Sequence, residues 1–124
     1  MNDRIETPET RADSGCVSLY VTVESENVAV HMASELVKED LVACVNVFDG
    51  VRSVYKWDGM VQIDNEVVMI AKTTRSMSAK AIARIKELHN YDVPCITIWP
   101  IEGGEGDYLG WVRETVDPQK RVSN

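Results

Sequence analysis

The chain has 124 residues, of which 44% are hydrophobic and 27% are charged, as expected of one ordinary globular domain. Its formal net charge of −7 argues against a duplex nucleic acid or an anionic membrane as partner, because both would repel it. No apolar run approaches the roughly 20 residues of a membrane span. The three cysteines are widely spaced and odd in number, which favours a reducing, cytoplasmic environment over a disulfide framework.

The first half of the chain predicts a tail, a strand, a helix and a second strand. Residues 1–15 are polar and lack a secretory signal, so we expect a disordered N-terminal tail. Cys16–Val23 is rich in β-branched residues and predicts the first strand. Ser25 can cap a helix that extends to about Glu39 with one apolar stripe. The continuous apolar run 41–48 predicts a strand that is buried on both faces.

Asp58-Gly59 predicts the tip of a long β-hairpin, because both residues tolerate the positive φ of a type I′ turn. Trp57 then lies opposite Met60, and Tyr55 lies opposite Gln62. The second arm, 60–73, contains no Gly or Pro and would be roughly 45 Å long, against a radius of gyration of about 14 Å for the chain. The hairpin therefore either bends or overhangs its own domain, and another copy of the chain is the simplest cover.

Asp49-Gly50 has two interpretations. It is either a second hairpin turn or a bend inside one long strand from about Leu41 to Trp57. Local chemistry slightly favours the turn.

The second half predicts a helix that ends near Leu88, a loop before Pro94, a strand over 95–101, a flexible glycine-rich loop and a helix over 107–116. Residues 118–124 are expected to fray. With Asp49-Gly50 as a bend, the order is βαββαβ plus a C-terminal helix. This is the α+β, ferredoxin-like split βαβ arrangement, here spanning residues 16–117, with two helices on one face of the sheet.

Candidate ligand-binding residues lie on the hairpin and in the loop after the second helix. Lys72 has apolar neighbours, and a half-buried lysine needs an acid such as Glu66 or a bound anion. Tyr55, Trp57 and Tyr91 could line a small pocket, although aromatic contacts in a subunit interface explain them equally well.

Candidate metal ligands are His89, helped by Cys44 or Cys95. No CxxC or HxxxH spacing supports such a site. A histidine near a helix C-terminus and a cysteine in the core are the ordinary alternatives. The sequence contains no nucleophile triad and no phosphate-binding loop, so we predict a protein that is not an enzyme and has no obligatory cofactor.

Six segments together are similar to the CutA family of divalent-cation tolerance proteins: residues 41–47 (LVACVNV), 54–59 (VYKWDG), Lys72-Thr73, 89–94 (HNYDVP), Pro100-Ile101 and 108–111 (YLGW). The resemblance covers about residues 17–112. It implies a ferredoxin-like protomer in a tight homotrimer, with the long hairpins in intersubunit sheets and Asp49-Gly50 as a bend. It also implies a role in tolerance of copper and other divalent metals, with no attributed reaction.

The chain departs from the family pattern in the loop that follows the second helix. The family loop usually has an acid after its proline, where this chain has Cys95. Val21 and Leu88 stand where some members carry a cysteine and a second histidine, which reduces the copper-binding set of the family to His89. Either metal binding is weak, or Cys95 completes a substitute site. Similarity in shape to trimeric PII proteins gives an alternative function, the regulatory binding of a small anionic metabolite, and a purely structural trimer is a third.

Overall fold

The computed structural model describes residues 14–122, which form one four-stranded antiparallel sheet and the helices that pack against it. The strands are β1 (Cys16–Val23), β2 (Cys44–Trp57), β3 (Met60–Thr74) and β4 (Ile96–Pro100). The helices are α1 (Glu26–Lys38), α2 (Arg75–Leu88), α3 (Gly106–Thr115) and α4 (Gln119–Val122). The strand order β2-β3-β1-β4 is that of a ferredoxin-like split βαβ domain and confirms the predicted fold class.

The main core lies between the sheet and helices α1 and α2. Alternate residues of β1, from Val17 to Val23, point to this side and are fully buried. They pack with Met32 and Leu36 of α1 and with Ile85 of α2. Each such side chain contributes about 1.5–3 kcal/mol when it is removed from water. Ser25 caps α1 as predicted, since its Oγ accepts a hydrogen bond of 3.2 Å from the Val28 N–H.

A second, smaller core lies under α3. Leu109 and Val112 are its buried residues on this helix, and they pack with Cys16, Ala43 and Met77. The sequence pattern groups Tyr108 and Trp111 with Val112 on one side of the helix, but both aromatic residues are exposed. Their rings contact each other instead, with centroids 5.8 Å apart.

The long hairpin is the dominant feature of the sheet. Its turn has φ of 53° at Asp58 and 79° at Gly59, as a type I′ turn requires, and Trp57 pairs with Met60 as predicted. On the side of Val47 and Val67 that leads to the turn, no described residue of the hairpin belongs to either core. Residues 51–66, here called the overhang, therefore project roughly 25 Å beyond the domain.

Asp49-Gly50 is a bend inside β2, so the preference for a turn from local chemistry was wrong. The register with β3 shifts between Phe48 and Val51, which marks a β-bulge, and Gly50 has a φ of 79°. A glycine accepts this backbone conformation without strain. The bulge lets one strand continue from the domain into the overhang.

The expectation that the run 41–48 is buried on both faces was also wrong within this chain. The strand begins at Cys44, and Val45 and Val47 pack on the core. Asn46 and Phe48 are exposed on the other face, which α1 and α2 leave uncovered. We call this second surface of the sheet the bare face.

Both ends of the described part of the chain contact the folded domain. Residues 1–13 of the predicted tail lie outside the described residues, but Ser14 and Gly15 belong to the folded domain. Ser14 is buried and Arg113 donates a 2.8 Å hydrogen bond to its carbonyl oxygen. Arg75 N–H donates to the carbonyl of Gly15. At the other end, α4 lies within the residues expected to fray, and Lys120 forms an ion pair of 3.5 Å with Asp40.

Candidate functional site

A cavity of about 640 Å³ lies on the bare face, between the overhang and the loop that connects α2 to β4. Its walls come from β1, both arms of the hairpin, the loop and the residue before β4. The lining residues are Tyr20, Thr22, Ser53, Tyr55, Trp57, Asp64, Glu66, Tyr91, Asp92, Val93 and Cys95.

The hairpin wall follows from the two-residue repeat of its strands. Ser53 pairs with Asp64 and Tyr55 pairs with Gln62 across the hairpin, so these side chains share one face with Trp57. The Tyr55 hydroxyl donates a hydrogen bond diagonally to Asp64 Oδ2. This bond to a carboxylate raises the pKa of Tyr55, because the phenol proton is held by the acceptor.

The loop wall is attached to the hairpin by Tyr91. Its hydroxyl donates a 3.1 Å hydrogen bond to Glu66 Oε2. Burial and this bond raise the pKa of Tyr91 to about 12. The loop and the overhang, which are separate segments of the chain, thus meet through a tyrosine–carboxylate pair, and a second such pair lies within the hairpin.

His89 fixes the base of the loop and lies outside the cavity. Its Nδ1 accepts a 3.0 Å hydrogen bond from the Tyr91 N–H, so Nδ1 carries no proton. Its Nε2 must then carry the proton and donate to the Thr22 carbonyl at 2.7 Å. Both nitrogens of the predicted metal ligand are occupied in this conformation, which gives His89 a structural role in positioning Tyr91.

Lys72 and Cys44 lie on the bare face away from the cavity. The Lys72 ammonium donates to Asn46 Oδ1, whereas the predicted partner Glu66 binds Tyr91. The Cys44 sulfur is 3.2 Å from the Tyr108 hydroxyl. Partial burial of the hydroxyl is the main cause that raises the pKa of Tyr108 to about 12, and this hydrogen bond is the second cause. Neither residue shares the cavity with Tyr91.

The three predicted metal ligands therefore do not converge. Cys95 lines the cavity, His89 lies behind it, and Cys44 contacts Tyr108. Within residues 14–122, no three His, Cys, Asp or Glu side chains are grouped closely enough to hold a metal ion.

The cavity is acidic. Asp64, Glu66 and Asp92 contribute carboxylates, and the lining described above includes no lysine, arginine or histidine. The Tyr55 and Tyr91 hydroxyls each donate a hydrogen bond to one carboxylate oxygen. These bonds do not cancel the negative charges. The arrangement therefore favours a cationic occupant over an anionic one.

Five of the candidate residues from the sequence line the cavity together: Tyr55, Trp57, Glu66, Tyr91 and Cys95. The other three, Lys72, His89 and Cys44, do not line it. Sequence reasoning missed the other lining residues: Tyr20, Thr22, Ser53, Asp64, Asp92 and Val93. The two-residue alternation of β3 was a usable signal for Asp64, since it must share a face with Glu66. Nothing in the sequence indicated that the loop folds over β1.

Residues 17–115 match the family model described as CutA1 divalent ion tolerance protein. The divalent-cation tolerance protein CutA of Thermus thermophilus is 46% identical over 96 residues, which cover 77% of this chain and 93% of that protein. The chloroplastic protein CutA of Arabidopsis thaliana is 38% identical over 99 residues, or 80% of this chain. The chain spans about half the length of that plant relative, since the match covers 54% of it.

Solved structures give the same result. The divalent cation tolerance protein of Thermus thermophilus superimposes with a TM-score of 0.79 at 43% identity, covering 81% of this chain and 97% of that one. CutA1 from Oryza sativa gives a TM-score of 0.81 at 37% identity, with 83% and 94% covered. The described domain is thus shared in sequence and in fold. This chain belongs to the CutA1 divalent ion tolerance family.

Proposed function

We propose that the chain acts in divalent metal ion tolerance as a non-enzymatic homotrimer that binds cations weakly at the acidic cavity, with copper as the first metal to test. The observation that carries this proposal is the charge of the cavity: three carboxylates from Asp64, Glu66 and Asp92 in a lining without a basic side chain. The net charge of −7 adds a favourable field for cations.

Weak binding is expected because one protomer does not supply a complete ligand set. Asp64 and Glu66 are two residues apart on β3, so their Cα atoms are separated by about 7 Å. A divalent ion here would be held through one carboxylate and water, or would need donors from a neighbouring copy. Cys95 is a soft donor at the edge of the cavity, which suits Cu⁺ better than a hard cation.

The trimer is supported by the apolar surface of the overhang. Val54 and Ile63 pair across the hairpin and are 65% and 62% exposed. Val61 adds further exposed apolar area on the face of the hairpin that carries Val54 and Ile63, opposite the face that lines the cavity. Such a surface is typical of an interface between copies of a chain.

The two other functions receive less support. A PII-like binder of an anionic metabolite was expected to use Lys72, but this lysine binds Asn46 and lies outside the cavity. A purely structural trimer would need no cavity. A cytoplasmic location also remains our proposal, supported by the three free cysteines. No helix within residues 14–122 is long and apolar enough to cross a membrane.

The test is a calorimetric titration of the reduced protein with Cu²⁺ and with Zn²⁺, with the mass measured by light scattering on the same sample. We expect the mass of a trimer and saturable binding that Glu66→Gln weakens by about tenfold. Glu114→Gln is the matched control, because it removes the same charge from an exposed site on α3. Binding that survives Glu66→Gln but is lost in His89→Ala would contradict the cavity and place the metal at the loop.

A further inference from the structure

The cavity is far larger than a metal ion requires. Its volume of about 640 Å³ lies within the range of roughly 300–1,000 Å³ that is usual for sites of small organic molecules. A tight metal site made by the protein alone needs three or more donors at short range, and no such group exists among the described residues. An organic cation needs only separate acceptors and apolar contacts, both of which line this cavity.

Two acceptors project from one face of β3. Asp64 and Glu66 lie on the same face of β3, two residues apart, which sets their Cα atoms at about 7 Å. One oxygen of each accepts from a tyrosine hydroxyl: Tyr55 for Asp64 and Tyr91 for Glu66. These hydrogen bonds orient the carboxylates, and each carboxylate retains its second oxygen as an acceptor for a ligand.

Aromatic rings form the remaining walls. Tyr20, Tyr55, Trp57 and Tyr91 line the cavity, and tyrosine and tryptophan attract ammonium groups and pack well on methylene chains. A phenol that donates to a carboxylate becomes richer in electrons, which strengthens its attraction for a cation. Tyr20 is held by Trp99, with the rings parallel and their centroids 4.8 Å apart.

We propose that this cavity binds a linear aliphatic diamine in its doubly protonated form. One ammonium group donates to Asp64, the other donates to Glu66, and the methylene chain packs on the aromatic walls. Asp64 and Glu66 project from the same face of β3 two residues apart, so a short diamine is the class of ligand that offers one ammonium group to each, and 1,4-diaminobutane is the probe of that class. This inference goes beyond the proposed role in metal tolerance and is tested separately from it, on the metal-free protein.

The experiment is a calorimetric titration of the metal-free, full-length protein, with chelator present and ionic strength fixed. The probes are 1,4-diaminobutane, butylamine and tetramethylammonium. We expect saturable binding of the diamine, with butylamine at least about tenfold weaker because it can satisfy only one carboxylate. Asp64→Asn and Glu66→Gln should each weaken binding of the diamine by about tenfold, and the control Glu114→Gln should leave its affinity unchanged.

A second measurement uses the tryptophans and does not depend on the carboxylate variants folding. Trp57 lines the cavity, whereas Trp111 lies on α3 away from it. The diamine should change the fluorescence of the wild-type protein and of Trp111→Phe. The change should be smaller in Trp57→Phe, where Trp99, stacked on the lining residue Tyr20, is the remaining tryptophan next to the cavity wall. The proposal is overturned if the diamine shows no saturable binding, if Glu114→Gln weakens it as much as Glu66→Gln does, or if tetramethylammonium binds as tightly as the diamine.

Discussion

The Tyr91 hydroxyl donates a hydrogen bond of 3.1 Å to Glu66 Oε2, and this one contact joins the loop after α2 to the overhang of the hairpin. Tyr55 and Asp64 form an equivalent pair on the hairpin itself. Two of the three acids that line the cavity are therefore held by phenols. The chemistry of the site depends on these two pairs.

The Tyr91 pair predicts a loss of stability at alkaline pH. The pKa of Tyr91 is raised from 10.0 to about 12, so the fold favours the neutral phenol. Its contribution is complete below pH 10 and is lost as the pH rises towards 12. Denaturant unfolding of the wild-type protein should therefore show stability falling more steeply across this window than in Tyr91→Phe.

Tyr108, whose pKa is also raised to about 12, is present in both proteins, so the difference between the curves isolates Tyr91. Parallel curves would mean that Tyr91 titrates alike in the folded and unfolded chains, which contradicts the pair.

His89 should act through the loop backbone rather than as a ligand. His89→Ala removes the bonds to the Thr22 carbonyl and the Tyr91 N–H, at a cost of about 1 kcal/mol each. We expect faster hydrogen exchange at the Tyr91 amide and a stability loss of about 2 kcal/mol. His31→Ala is the control, because His31 is exposed on α1. Unchanged hydrogen exchange at the Tyr91 amide in His89→Ala would contradict the structural role of His89.

Gly59 should be sensitive to substitution although it lies far from any core. A Cβ at this position would meet no atom within 4 Å, so the cost of Gly59→Ala comes only from its φ of 79°. This cost is about 1–2 kcal/mol. Gly110→Ala is the comparison, since its added Cβ also meets open space and Gly110 lies inside α3, where alanine is favoured. Equilibrium unfolding at one fixed protein concentration measures the stability of both variants. Equal stability of the two variants would contradict the type I′ turn.

The overhang should be needed for assembly and not for folding of the protomer. Val54→Lys and Ile63→Lys place charges on the exposed paired residues of the overhang and would bury these charges in an interface at high cost. We expect the mass from light scattering to fall from that of a trimer to that of a single chain, with the far-UV circular dichroism kept. A trimer that persists in both variants would exclude this surface as the interface.

Sequence patterns predicted most of the fold because its signals are local. The alternation of β1, the Ser25 cap and the Asp58-Gly59 turn each depend on neighbouring residues, and all three are present in the structure. The local preference for a turn at Asp49-Gly50 was wrong because the same dipeptide serves a turn and a bulge, whereas the bend that the family resemblance implied is confirmed. The difference lies in the register with β3, which is set by distant pairing.

The site was predicted only in part, since a cavity is a relation between distant segments. Tyr55 and Glu66 could be chosen as candidates from one strand each, but Tyr20 lines the same cavity only because β1 lies beside β3. Likewise, the sequence cannot show that both His89 nitrogens are engaged by Thr22 and Tyr91, because that geometry depends on the path of the loop.

Anomalous scattering from crystals of the reduced protein grown with Cu²⁺ would locate a bound divalent ion directly. We predict a peak in the cavity, within roughly 2–2.6 Å of an oxygen of Asp64 or Glu66 if the ion is bound directly, or one water layer further away. A peak beside Cys44 and Tyr108, or on His89, with the cavity empty of metal, would contradict the proposal that the acidic cavity is the cation site.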